Sequence, residues 1–219
     1  MKGLFITGTD TGVGKTVGSA AIFQRYRKSR PLRYWKPIQT GIEQDDDSAE
    51  FRRLTGCLDS EWCDCGIRLE RPVSPHLAAK WAGQRIDLGA LIQSTPGDGA
   101  VRWIVEGAGG VLVPINESET MADWIVRLEL PVVVAARTAL GTINHTLLTL
   151  EALRARAVPV AAVFMIGEPN ADNREAIEHY GEVRVIGEMP RFHRLDCESL
   201  SQWSTKHLDP DGFLEEFLK

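Results

Sequence analysis

No apolar run in this chain approaches the roughly 20 residues needed to cross a bilayer, so no membrane partner is expected. Positive charge is not in surplus either. Lys and Arg number 25 against 30 Asp and Glu, a formal charge of −5 with a pI near 5.6. A nucleic-acid binder usually carries a basic face, and the densest basic stretch, Arg25-Tyr26-Arg27-Lys28-Ser29-Arg30, reads as the solvated end of a helix. A nucleic-acid partner is therefore not expected. Cysteine is scarce: Cys57, Cys63, Cys65 and Cys197 are the full set. One residue separates Cys63 from Cys65, which suits neither the two-residue redox motif nor a zinc ribbon. The histidines are scattered and form no ligand pair. Reduced structural thiols in a cytoplasmic protein are expected in place of a metal–thiolate site. The chain shows no internal repeat and no low-complexity segment, and its first residues lead straight into a strand without a leader signal.

What is present is an ordinary core. Hydrophobic residues make up 43% of 219, enough to bury a core without disulfides or structural metals, and one domain spanning 1–219 is expected. Strand signals fall at Arg33–Lys36, Val101–Val105, Val111–Ile115, Pro131–Ala136, Val158–Ile166 and Val183–Ile186. Several are nearly continuous in apolar residues, as in a parallel sheet covered on both faces. Helical periodicity alternates with them at Val17–Tyr26, Asp47–Leu54, Asp87–Gln93, Met121–Leu128 and Ile143–Arg156, with Asp87, Thr120, Thr142 and Asn170 as start signals. Gln44–Asp47 and Ser94–Gly99 read as polar loops, and Pro190–Lys219 as two short helices on the sheet edge. The pattern is a doubly wound α/β fold, whose ligands sit at the carboxyl ends of the strands.

The most informative stretch is Leu4-Phe5-Ile6-Thr7-Gly8-Thr9-Asp10-Thr11-Gly12-Val13-Gly14-Lys15-Thr16. A buried strand runs into a glycine-rich turn and then Gly-Lys-Thr, which delivers a phosphate-binding loop to a helix start. Glycines let backbone N–H groups converge on phosphate oxygens. Lys15 supplies a cation for the terminal phosphates, and the Thr16 hydroxyl can ligate magnesium. Gly12, Val13, Gly14, Lys15, Thr16 and Val17 are thus candidates for binding a nucleoside triphosphate, and the fold is of P-loop NTPase type. Five residues separate Gly8 from Gly14, one more than the common pattern.

Two further strand ends carry charge. Proline after Lys36 keeps that residue extended at the end of the second strand, where a second cation can meet a transferring phosphoryl group. Trp103-Ile104-Val105-Glu106-Gly107-Ala108-Gly109 delivers one carboxylate followed by residues that allow close approach, so Glu106 is a candidate magnesium ligand. In Asp45-Asp46-Asp47, Asp47 either caps the next helix or supplies the remaining ligand, with Asp46 as the substitute. Leu140-Gly141-Thr142-Ile143-Asn144 opens a long helix whose free N–H groups form an anion site.

These blocks resemble dethiobiotin synthetase, the ATP-dependent carboxylase that closes the ureido ring in biotin synthesis. The matching runs are Gly8 to Thr16, Lys36 to Gly41, Asp47 to Ala49, Val105 to Gly110 and Leu140 to Thr149, and the longer spacing before Gly14 is the family's variant. The resemblance implies a homodimeric ligase that uses ATP, magnesium and CO2 to carboxylate and cyclise diaminopelargonic acid. Lys15 and Lys36 would act on the carbamate and the transferring phosphate, and Thr16, Asp47 and Glu106 would hold magnesium. Gly107, Ala108 and Gly109 would line the nucleotide. Thr11 and Thr40 would contact the diamine, and Thr142, Ile143 and Asn144 would receive the distal carboxylate of substrate bound to the other subunit. Many members carry an asparagine that reads adenine where Ile166 stands, which implies weak discrimination among nucleoside triphosphates. Two rival readings share the motifs. A switch ATPase of this fold uses a second lysine early in the loop, and none precedes Lys15 there; a non-catalytic regulatory module is the other.

Overall fold

A computed structural model describes residues 1–94 and 99–219; the expected loop at Ser94–Gly99 thus falls largely outside the described residues. The apolar runs form a seven-stranded sheet from β1 (Gly3–Gly8), β2 (Leu32–Trp35), β4 (Trp62–Cys63), β6 (Arg102–Gly110), β7 (Val132–Arg137), β8 (Val160–Ile166) and β9 (Val185–Met189). Their order is β4-β2-β6-β1-β7-β8-β9, and every neighbouring pair is parallel. A separate two-stranded parallel pair joins β3 (Ile38–Thr40) to β5 (Ile67–Leu69).

Alternation along each strand sends side chains to two different cores. Phe5, Trp35, Trp103 and Val105 face one side and pack with α3 (Pro75–Trp81), α4 (Leu88–Gln93), α5 (Met121–Leu128), α6 (Thr142–Arg154) and α7 (Ala171–Gly181). Leu4, Ile6, Tyr34 and Ile104 face the other, with α1 (Lys15–Tyr26), α2 (Asp47–Thr55) and α8 (Cys197–His207). Burial of each large apolar side chain contributes about 1.5–3 kcal/mol. The strands are therefore held from both faces, and their carboxyl ends are fixed points.

Four expectations are corrected. Val111–Ile115 is not a strand: β6 continues to Gly110, and the apolar run then turns over the end of the core, burying Val111 and Ile115 with one isolated bridge from Pro114 to Thr120. Thr142 does not cap α6. It is the first helical residue, and its hydroxyl turns back to the carbonyl of Arg137. The C-terminal segment packs on the α1 face of the sheet, not its edge, because Leu200, Trp203, Leu208, Leu214 and Leu218 join that core. Buried Asp209 fixes it there, accepting from the Tyr26 hydroxyl and from the N–H groups of Phe213 and Leu214. Finally, Cys63 and Cys65 are joined in a disulfide, while Cys57 and Cys197 are free. The chain bends after β4 ends at Cys63, which brings the two Cα atoms to 5.4 Å, within disulfide reach.

Candidate active site

The glycine-rich turn after β1 ends at Gly14, whose left-handed φ of +92° starts α1 with no side chain capping the first turn. N–H groups at that start are available to an anion. Gly12, also at positive φ, and Thr11 are exposed, Val13 is buried, and Val17 is half-buried. Lys15 folds back, donating from Nζ to the carbonyl of Asp10 at 3.0 Å. Burial, then the neighbouring Lys36, lowers its pKa to about 8, against the raising effect of Glu106, Asp47 and Asp10.

Opposite this loop the end of β2 meets the middle of β6. Tyr34 pairs with Ile104 and Trp35 with Val105, so Lys36 and Glu106 stand at the same level on the α1 face. Lys36 is 2% exposed and Glu106 is 0% exposed, so neither charge can rely on water. The Lys36 ammonium spends its donors on Asp47 Oδ2 at 2.6 Å, Glu106 Oε1 at 2.8 Å and the Gly107 carbonyl at 3.0 Å. Burial alone would lower its pKa, but Glu106 and Asp47 outweigh burial and hold it above the ordinary lysine value. Asp47 responds in the opposite sense: burial would raise its pKa, and Lys36 more than reverses this.

Thr16 closes the cluster. Its hydroxyl lies 2.8 Å from Asp47 Oδ1 and 2.9 Å from Glu106 Oε1. One hydroxyl has one proton, so only one of these carboxylate oxygens can receive it. The other faces the hydroxyl oxygen without a hydrogen between them, a local excess of negative charge that a cation relieves. The donors are all hard oxygens, which fits Mg2+. Asp46, the alternative ligand, is occupied elsewhere: its carboxylate caps α2 through the N–H groups of Ser48 and Ala49. That cap leaves Asp47 as the first helical residue, free to turn toward Thr16 and Lys36.

The structure thus gathers Lys15, Thr16, Lys36, Asp47 and Glu106. Gly107 and Ala108 follow in buried backbone, and Gly109 turns at φ +68° against Val113. Thr40 ends β3 half-buried, and none of the cluster's hydrogen bonds reaches it. Thr142, Ile143 and Asn144 open α6 behind Gly141, which has φ +91° and no side-chain cap. Arg137 links this start to the phosphate loop: its guanidinium donates to the Thr11 carbonyl at 2.9 Å, and its own carbonyl accepts from Thr142.

Three participants escaped sequence reading. Ser19 lies three residues beyond Thr16 on α1, hence on the same face, and donates to Glu106 Oε2 at 2.9 Å. Tyr34 precedes Lys36 by two residues in an extended strand, again one face, and donates to the same oxygen at 3.0 Å. Both were legible from spacing. Arg137 was not, because its partners are backbone atoms 126 and five residues away.

Residues 2–199 match the family described as an AAA domain. An "ATP-dependent dethiobiotin synthetase BioD" of Agrobacterium fabrum is 43% identical over 210 residues, covering 96% of each chain. Another of the same name, from Paramagnetospirillum magneticum, is 49% identical over 189 residues, covering 86% of this chain and 88% of its own. This chain belongs to the dethiobiotin synthetase family. At the level of fold alone, the structure of Cyanthece apo McdA has a TM-score of 0.59 at 12% identity, covering 100% of both chains. For a dethiobiotin synthetase, Ile166 stands out among the strand ends. It closes β8, and a Cβ added to Gly14 would lie 2.2 Å from its Cδ1. The side chain therefore covers the back of the phosphate loop with an apolar surface.

Proposed function

We propose that this chain is an ATP-dependent dethiobiotin synthase, a cyclo-ligase acting on diaminopelargonic acid and CO2. The single observation that carries the reading is the meeting of Lys15 and Thr16 with Lys36, Asp47 and Glu106 in one buried cluster beneath the phosphate loop. The triphosphate lies on the α1 start, with Lys15 leaving the Asp10 carbonyl for the phosphate oxygens. Thr16, Asp47 and Glu106 hold magnesium, which neutralises charge on the triphosphate when bound. The residues Gly107 to Gly109 line the nucleotide.

One amine of the substrate takes up CO2 as a carbamate. The carbamate oxygen attacks the γ-phosphorus, ADP leaves, and the second amine attacks the carbonyl carbon and expels phosphate. Lys36 sits where it can neutralise the carbamate and the transferring phosphoryl group. Thr11 and Thr40 contact the diamine, and the N–H groups at Thr142 to Asn144 receive the carboxylate of substrate held by the other subunit. Because the enzyme forms no covalent bond to substrate in this scheme, rate comes from positioning and electrostatics. The chain works as one domain in a cytoplasmic homodimer. The exposed side of α6, with Asn144 and Leu148 four residues apart, and the exposed Leu140 in the turn before it support an interface there.

The test is mass-spectrometric detection of dethiobiotin after incubation with diaminopelargonic acid, bicarbonate, Mg2+ and each nucleoside triphosphate in turn. Product in stoichiometry with the released nucleoside diphosphate is expected, with less than about tenfold preference among bases, since Ile166 offers no hydrogen bond worth about 1 kcal/mol. Triphosphate hydrolysis indifferent to the diamine would overturn the reading in favour of a switch ATPase.

A further inference from the structure

Glu106 has two oxygens, and the structure treats them differently. Oε1 faces the phosphate loop, bonded to Thr16 and Lys36, whereas Oε2 is turned away and accepts from Ser19 at 2.9 Å and Tyr34 at 3.0 Å. All three side chains are 0% exposed, so no water competes for Oε2. Neither hydroxyl is needed for the fold in the way the apolar core is. A Ser at position 19 is a poor helix former beside Ala20 and Ala21, and a Phe at position 34 would fill the same space as Tyr34.

Tyr34 has a second attachment. Its ring stacks on Phe51 with centroids 3.7 Å apart and planes 6° from parallel. Phe51 lies four residues along α2 from Asp47, one helical turn on the same face. One side chain thus touches both carboxylate-bearing elements: its hydroxyl holds Glu106 on β6, and its ring holds the helix that presents Asp47.

We propose that Tyr34 and Ser19 are positioning residues that pin Glu106 Oε2, so that Oε1 is presented to the magnesium of the bound nucleotide at a fixed distance from Asp47. This rests on the reading of Thr16, Asp47 and Glu106 as the magnesium site. Carboxylates that ligate metals are commonly oriented by such outer partners, whose loss costs about 10–100-fold in metal affinity or activity.

The experiment is calorimetric binding of β,γ-methylene ATP to the full chain, with saturating Mn2+ and again in EDTA, without the diamine. In wild-type protein Mn2+ should tighten binding. In Tyr34→Phe that gain should shrink about tenfold, while affinity in EDTA, set by the phosphate loop, stays within about twofold. A merely structural role for the hydroxyl would weaken both equally. Ser19→Ala removes the other donor, should show the same split, and serves if Tyr34→Phe fails to fold. Retention of the full Mn2+ gain by both variants would overturn the inference. A wild-type chain with no Mn2+ gain would remove the magnesium reading and this inference together, whereas failure to make dethiobiotin leaves the binding result standing.

Discussion

Among the described residues, two of the eight α-helices begin unlike the others. Asp46, Asp87, Asn170 and Asp196 accept first-turn N–H groups at α2, α4, α7 and α8. Pro75 opens α3, and at α5 the Asp123 carboxylate reaches back to Thr120. α1 and α6 differ: each starts on a left-handed glycine, Gly14 or Gly141, with no side-chain cap and no acid in the first turn. These two follow β1 and β7, which are neighbours in the sheet. A cap stabilises a helix by about 1 kcal/mol, and α1 and α6 forgo it side by side. The difference separates helix starts that serve the fold from two whose N–H groups are kept for anions, the triphosphate and the substrate carboxylate in our reading. Between them and the α2 start, where the cap frees Asp47, lies the buried charge of Lys36 and Glu106.

Lys36→Ala should reduce turnover about 10²–10³-fold while calorimetric ATP binding stays within about threefold, because the open α1 start still holds the phosphates. The same change leaves Glu106 buried without its cation and should lower the denaturant-derived unfolding free energy by several kcal/mol. Near-normal turnover would remove Lys36 from the mechanism.

Asn144→Asp sharpens the contrast at α6. It places an acid three residues after Gly141, where a carboxylate favours the helix, so thermal stability should hold or rise slightly. At the same time KM for the diamine should rise about tenfold, through repulsion of its carboxylate. An unchanged KM would move the substrate carboxylate elsewhere.

At α1 the contrast depends on pH. The free-protein pKa of Lys15 is about 8, and a bound triphosphate raises it, so binding should take up a proton above pH 8. Nucleotide affinity should therefore fall as pH climbs past about 8, read by calorimetry in buffers of different ionisation heat. Stability should move the other way. The folded pKa lies below the ordinary lysine value of 10.5, the unfolded chain holds more protons between the two, and the Lys15 contribution rises with pH across that window.

The smallest effects belong to the capped starts. Asp46→Ala and Asn170→Ala should each cost about 1 kcal/mol, lowering Tm by about 2–4 °C for a chain of this size. Only Asp46→Ala should disturb turnover, by loosening the Asp47 end of α2.

Much of the site was legible because it lies at element ends with their own chemistry. Gly-Lys-Thr after an apolar strand and a lysine held before proline each announce a strand terminus; the acid before glycines proves to sit in the middle of β6, which runs on to Gly110, and the fold gathers all three. Ambiguity between Asp46 and Asp47 was of another kind. Both residues suit either role, and only the path of α2 decides which one caps. Val111–Ile115 misled because burial alone gives an apolar run, whether or not the backbone pairs. Arg137 left no trace in the sequence, since a side chain that bonds to carbonyls needs no particular partner type. The short strands β3, β4 and β5, of three, two and three residues, carry too few side chains to show a period.

The most direct test is a crystal structure of the chain with diaminopelargonic acid, Mg2+ and β,γ-methylene ATP. The triphosphate should lie on the N–H groups that open α1, Mg2+ between Thr16, Asp47 and Glu106, and the substrate carboxylate on an α6 start. A carboxylate bound away from both subunits' α6 starts, or a metal ligated without Glu106, would contradict this reading.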